Sequence, residues 1–67
     1  MDIQEQIEII KQVCTPLQWA RVKAVHLDGV SIREQARREE VYQGAIQDSL
    51  RAVKIKVEKW KRRQQNT

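Results

Sequence analysis

The sequence predicts an all-α domain of about four helices that ends in a long basic helix. Three observations predict it. Two Gly and one Pro in 67 residues leave few places for turns. Apolar residues recur at spacings of three and four along most of the chain. Helix-start signals stand at Asp2, Thr15 and Ser31, each ahead of such a segment.

Length and composition narrow the function classes. A chain of this size buries only about 60% of its unfolded surface, which leaves little room for an enclosed substrate pocket. An enzyme is therefore not expected. One Cys and one His exclude an intramolecular disulfide and a metal-ligand cluster, so no cofactor is expected either. No apolar run approaches the ~20 residues of a membrane span. The opening Met1-Asp2-Ile3-Gln4-Glu5 is acidic and lacks a signal-peptide core, so a cytoplasmic protein without membrane contact is expected.

The first helix is expected from about Asp2 to Val13. Ile3, Ile7, Ile10 and Cys14 would form its apolar stripe, with Asp2 and Glu5 in capping-box positions. Cys14 then reads as a small buried hydrophobe. Thr15-Pro16 opens a second helix that runs to about Leu27. Leu17, Ala20, Ala24 and Leu27 would share one side, and Trp19, Val22 and His26 the other. Two apolar sides imply a sandwiched helix or one that faces a second chain. Asp28-Gly29 ends it, with Gly29 able to take the left-handed conformation.

Ser31 and Glu34 form a capping-box pattern ahead of a short helix, about 32–38. Ile32 and Ala36 would face inward, and Arg33, Arg37 and Arg38 outward. Val41 is the expected plug of a tight turn spanning Glu39 to Tyr42. The last helix is expected from Gln43 into the low sixties. Its seam is Ile46, Leu50, Val53, Val57 and Trp60, which suits either an inner face or a dimer contact. Ile55 lies opposite. The polar end, 61–67, is expected to fray.

Charge is unevenly placed. The net +4 divides into −2 over residues 1–50 and +6 over residues 51–67. Such clustering suits a polyanion, nucleic acid first, the alternative being a solvated basic helix end. The short helix, the tight turn and the long helix have the layout of a helix-turn-helix, at about 31–53. The second helix of that motif presents its opening turns to the major groove of double-stranded DNA. Gln43, Gly44, Gln47, Asp48 and Arg51 share its outer side. Gln pairs bidentately with adenine and Arg with guanine, while Asp accepts from cytosine.

The stretch Val22–Val53, "VKAVHLDGVSIREQARREEVYQGAIQDSLRAV", resembles the helix-turn-helix of TrfB/KorA-type plasmid transcriptional repressors. The matching features are Asp28-Gly29, Ala36, Val41 and Gly44-Ala45-Ile46. More loosely it is similar to the fourth conserved region of bacterial sigma factors. The resemblance implies a DNA-binding repressor of mobile-element promoters that acts as a homodimer. It implies base reading by Tyr42, Gln43, Gly44 and Gln47. Two positions depart from the pattern: Glu40 where relatives commonly have Gly, and Tyr42 where they have a Ser or Thr cap.

Phosphate contacts are expected from Ser31, Arg33, Arg37, Arg38, Lys54, Lys61, Arg62 and Arg63. Arg51 could serve as well as read bases. The alternative for Arg37 and Arg38 is pairing with Glu34, Glu39 or Glu40. Trp19, Val22, Ile55 and Trp60 are the candidate dimer surfaces. Two other readings remain at this stage: an activator that contacts RNA polymerase, and a helical protein-interaction module.

Overall fold

The computed structural model describes residues 2–65. It is all-α, and no strand occurs among the described residues. Helix α1 spans Ile3–Val13 and α2 spans Pro16–Val22. A single π turn, Lys23–Leu27, continues α2. Helix α3 spans Ile32–Glu39 and α4 spans Gln43–Gln65.

The three expected helix starts are capped. Asp2 Oδ1 accepts from the Glu5 amide at 2.8 Å, and Ser31 Oγ from the Glu34 amide at 3.0 Å. The reciprocal box forms at Thr15, where the Gln18 amide donates to Thr15 Oγ1 and the Thr15 amide donates to Gln18 Oε1. Each bond satisfies an amide that has no partner within its helix. Gly29 takes φ 74°, as its position after the second helix requires. The Val30 amide then reaches back to the Ala24 carbonyl at 2.9 Å.

Helix α4 is the spine, and α1, α2 and α3 all pack on it. Its 23 residues give the molecule its length, with extents of 42 × 20 × 15 Å. Ile46 is 0% exposed, and Val53, Val22, Ala36 and Ile9 are the other buried apolar residues among those described. Leu50, Val57 and Trp60 complete the expected seam but are half-buried. The chain's own helices cover that seam fully only at Ile46 and Val53.

Several expected positions change sides. In α1, Ile9 is the buried residue and Ile3 is exposed, because the inward face is turned toward Ile9 and Val13. In α2, Leu17, Ala20 and Leu27 are exposed, and Val22 goes inward. Leu27 is exposed on the same side as Leu17 and Ala20, and the π turn between them is closed by the Asp28 amide, which bonds the Lys23 carbonyl five residues back. Val41 is 37% exposed and does not plug the turn, whereas Ile46 of α4 is fully buried. Helix α4 runs through Gln65, and the rest of the end expected to fray, Asn66 and Thr67, lies outside the described residues. No helix among the described residues is long and apolar enough to cross a membrane.

The α3–α4 connection has three residues, Glu40 to Tyr42. Glu40 adopts φ 58°, ψ 43°, the left-handed region expected of Gly. Its amide donates to the Arg37 carbonyl at 3.2 Å, and the Val41 amide to the Ala36 carbonyl at 2.9 Å. These two bonds are a Schellman closure. They hold Glu40 in a conformation that costs an L-residue about 1–2 kcal/mol.

One side chain joins three helices. Arg21 of α2 is 8% exposed. Its Nη2 and Nε donate to the Glu39 carboxylate at the end of α3, at 2.7 and 3.0 Å. Its Nη1 donates to Ser49 Oγ at 2.6 Å and to the Ala45 carbonyl at 3.3 Å, both on α4. Gln35 Nε2 holds the second Glu39 oxygen at 2.8 Å. The hydrogen bond from Arg21, outweighing the effect of burial, holds the Glu39 carboxyl below its usual value. A second link runs from Lys56 Nζ to Gln18 Oε1 at 2.8 Å.

Arg21→Ala is expected to cost about 2–4 kcal/mol in urea unfolding, since it strands a largely buried carboxylate. Because the folded-state pKa of Glu39 is lowered, its contribution is complete above the usual carboxylate range. It is lost as pH falls through the lowered value. The stability gap between wild type and Glu39→Gln should therefore narrow on acidification. A gap constant with pH would remove the ionised pair from this role. Glu40→Gly should stabilise the domain by about 1 kcal/mol, read as a higher urea midpoint at unchanged slope.

Candidate nucleic-acid interface

The start of α4 is held from behind and open in front. Behind it, Ile46 fills the core while Arg21 grips Ala45 and Ser49. In front, Gln43, Gly44, Gln47, Asp48 and Arg51 are all exposed, and Tyr42 is 90% exposed just before the first turn. Five of the six residues that sequence reasoning assigned to base reading lie on the opening turns of α4, and Tyr42 immediately precedes them. The one ion pair among them, Arg51 Nη1 to Asp48 Oδ1 at 3.8 Å, is long and solvated. Such a pair contributes little and leaves the guanidinium free to exchange partners.

Gly44 adds a physical clue. A Cβ built at this position meets nothing within 4 Å. Glycine weakens a helix by about 0.5–1 kcal/mol relative to Ala. Packing within the chain does not call for that cost, whereas a surface that comes close to the helix backbone does.

The phosphate candidates divide into groups. On α3, Arg33 is exposed, and Arg37 and Arg38 both reach Glu34, at 3.5 and 3.4 Å. These are surface pairs worth tenths of a kcal/mol, so they leave both arginines available. The Ser31 hydroxyl is engaged as the cap of α3 and stands exposed beside them. On α4, Lys54 and Lys61 continue the line of Gln43, Gln47 and Arg51 at helical spacing. Lys61 lies about 27 Å along the axis from Gln43, and Arg62 about as far, so they form a separate cluster and not one surface with the opening turns of α4. Arg63 faces elsewhere, lining a shallow cleft with Val13, Lys59 and Trp60.

The dimer candidates are also rearranged. Val22 is buried in the core and cannot face a second chain. Trp19 is half-buried, with the Lys11 ammonium 5.4 Å from its ring centroid. Trp60 lines a cleft with Ile9 and Gln12 of α1. Ile55 alone of the four stays exposed, at 45%. Cys14 is half-buried, and burial pushes its thiol up against the opposing effect of Lys56, which suits a packing residue. His26 is exposed.

Sequence reasoning missed Arg21, the residue that ties the opening turns of α4 to α2 and α3. Its signal was indirect: Ser49 is a small polar residue on the inner face of α4, where a donor from another helix must meet it. Comparison of the chain with protein-family models, with curated proteins and with solved structures gives no match in any of the three.

Proposed function

We propose that this chain is a sequence-specific DNA-binding transcriptional regulator, a repressor that reads its operator with the opening turns of α4. The observation that carries the reading is the division of those turns. Their rear is clamped by Ile46 and Arg21, and their front is a row of exposed hydrogen-bonding side chains around an open Gly44. A helix that enters the major groove needs both properties at once.

In this reading Gln43 and Gln47 bond base edges, with Arg51 next to them. Tyr42 lies at the entry and contributes an apolar contact to a base or sugar. Arg33, Arg37 and Arg38 on α3 face the phosphate backbone. One motif covers one half-site, so a homodimer on a palindromic operator belongs to the proposal. Ile55 is its exposed candidate contact. A repressor of TrfB/KorA type, encoded on a plasmid or other mobile element, is the form that the resemblance supports.

Selection of bound sequences from a random duplex pool at near-physiological salt tests the reading. A palindromic consensus is expected. Gln43→Ala or Gln47→Ala should then lose about 1–3 kcal/mol of discrimination between that consensus and random DNA. Undiminished discrimination would remove α4 as the reading helix. Gly44→Ala separates stability from binding. It should raise the unfolding midpoint, by up to about 1 kcal/mol, while weakening operator binding. Tighter binding by that variant would mean that nothing approaches the backbone there.

A further inference from the structure

An open groove runs along α4 on the side of α1 and the π turn, with a volume of about 680 Å³. Its floor is apolar: Ile10, Val22, Leu50, Val53 and Val57 line it. Val22 and Val53 are buried, but Ile10, Leu50 and Val57 remain half-exposed. Leu50 and Val57 belong to the inner seam of α4, and the chain's own helices do not finish covering them.

The rim is mostly basic. Arg51, Lys54 and Lys61 stand exposed along α4, with His26 on the opposite wall and Glu58 as the one acid. Lys54 and Lys61 make no ion pair among the described residues. They lie two helical turns apart, about 10 Å. From Leu50 to Lys61 the groove follows α4 for about 16 Å, the length of three turns of a second helix.

We infer that this groove docks an amphipathic helix of a partner protein, one whose apolar stripe is flanked by Asp and Glu. The apolar floor takes the stripe, as in other helix-in-groove contacts, and the basic rim takes the acidic flank. Charge decides against a second copy of this chain. Two such grooves pressed together would oppose Arg51, Lys54 and Lys61 to their own kind, with Glu58 alone to offset them. Nucleic acid fits the rim but leaves the floor unmatched, since a phosphate backbone gains nothing from Leu50 or Val57. Arg51 also borders the reading turns. If those turns bind DNA as proposed above, the helix partner competes for Arg51 and acts as an antagonist.

The test needs no DNA and so stands apart from the DNA reading. The full chain, labelled with ¹⁵N, is titrated with a helical peptide bearing leucines at i, i+3, i+4 and i+7 between flanking glutamates. A twin peptide carries lysines in place of the glutamates. The glutamate peptide should shift the amides of Val22, Leu50 and Val57 saturably and bind about tenfold more tightly than its twin, as two or more ion pairs allow. Lys54→Glu with Lys61→Glu should reverse the preference. Equal binding of the two peptides by the wild-type chain would overturn the inference, as would saturable shifts confined to other residues. Concentration-dependent shifts of the same three amides without peptide would give the groove to a second copy and overturn it too.

Discussion

The structure depends on one guanidinium. Arg21 is the point where α2, the end of α3 and the first turns of α4 are tied, through Glu39, Ala45 and Ser49. Hydrophobic contact alone sets helices side by side with little preference for angle. A planar fork with fixed donor directions adds that preference. Arg21 reaches a carboxylate on one helix and a hydroxyl and carbonyl on another, so it fixes the separation and tilt between them. The apolar core of a chain this small is modest, and a misplaced buried charge is costly. The arrangement therefore loses stability when any member of the set is removed, and the pose of α4 depends on all of them together.

That pose has a consequence at the turn. With α3 and α4 held by Arg21, three residues must reverse the chain, and the left-handed conformation falls on Glu40. The strain there is local and is sustained by the Schellman bonds to Ala36 and Arg37. Glu40 makes no ion pair among the described residues, so its side chain has no part in holding the turn. The backbone does that alone. Val41 accordingly stands partly exposed and adds little to the turn.

Local signals were legible in the sequence and distant ones were not. The three N-caps, the Gly29 stop and the start of α4 each depend on a few adjacent residues, so they could be read directly. The inner stripe of α4 was legible because 23 residues of regular period average out single errors. The faces of α1 and α2 were not. Each has apolar residues on more than one side, and only the position of α4 decides between Ile9 and Ile3, or between Val22 and Leu17. Arg21 was hidden for a related reason. A lone Arg on a helix is usually solvated, and its acceptors come 18 to 28 residues later. The π turn at Lys23–Leu27 had no sequence signature. In the candidate site, the exposed row from Gln43 to Arg51 was legible from helical period. The remoteness of Lys61 and the separate facing of Arg63 followed only once the helix proved straight through Gln65.

Helix α4 thereby carries two surfaces on one rod, and their order along it follows from packing. Helix α3 and Arg21 hold its first turns, so only the outer side is open there, and that side is polar. Further along, α1 and the π turn cover the inner side incompletely, and the groove between them exposes part of the apolar seam. The two regions meet at Arg51, which points outward like Gln47 but also walls the groove beside Leu50. A ligand that engages either region must therefore take account of the same guanidinium. Ligands for the two regions would thus meet at one side chain, on a helix that the buried Ile46 holds in the core.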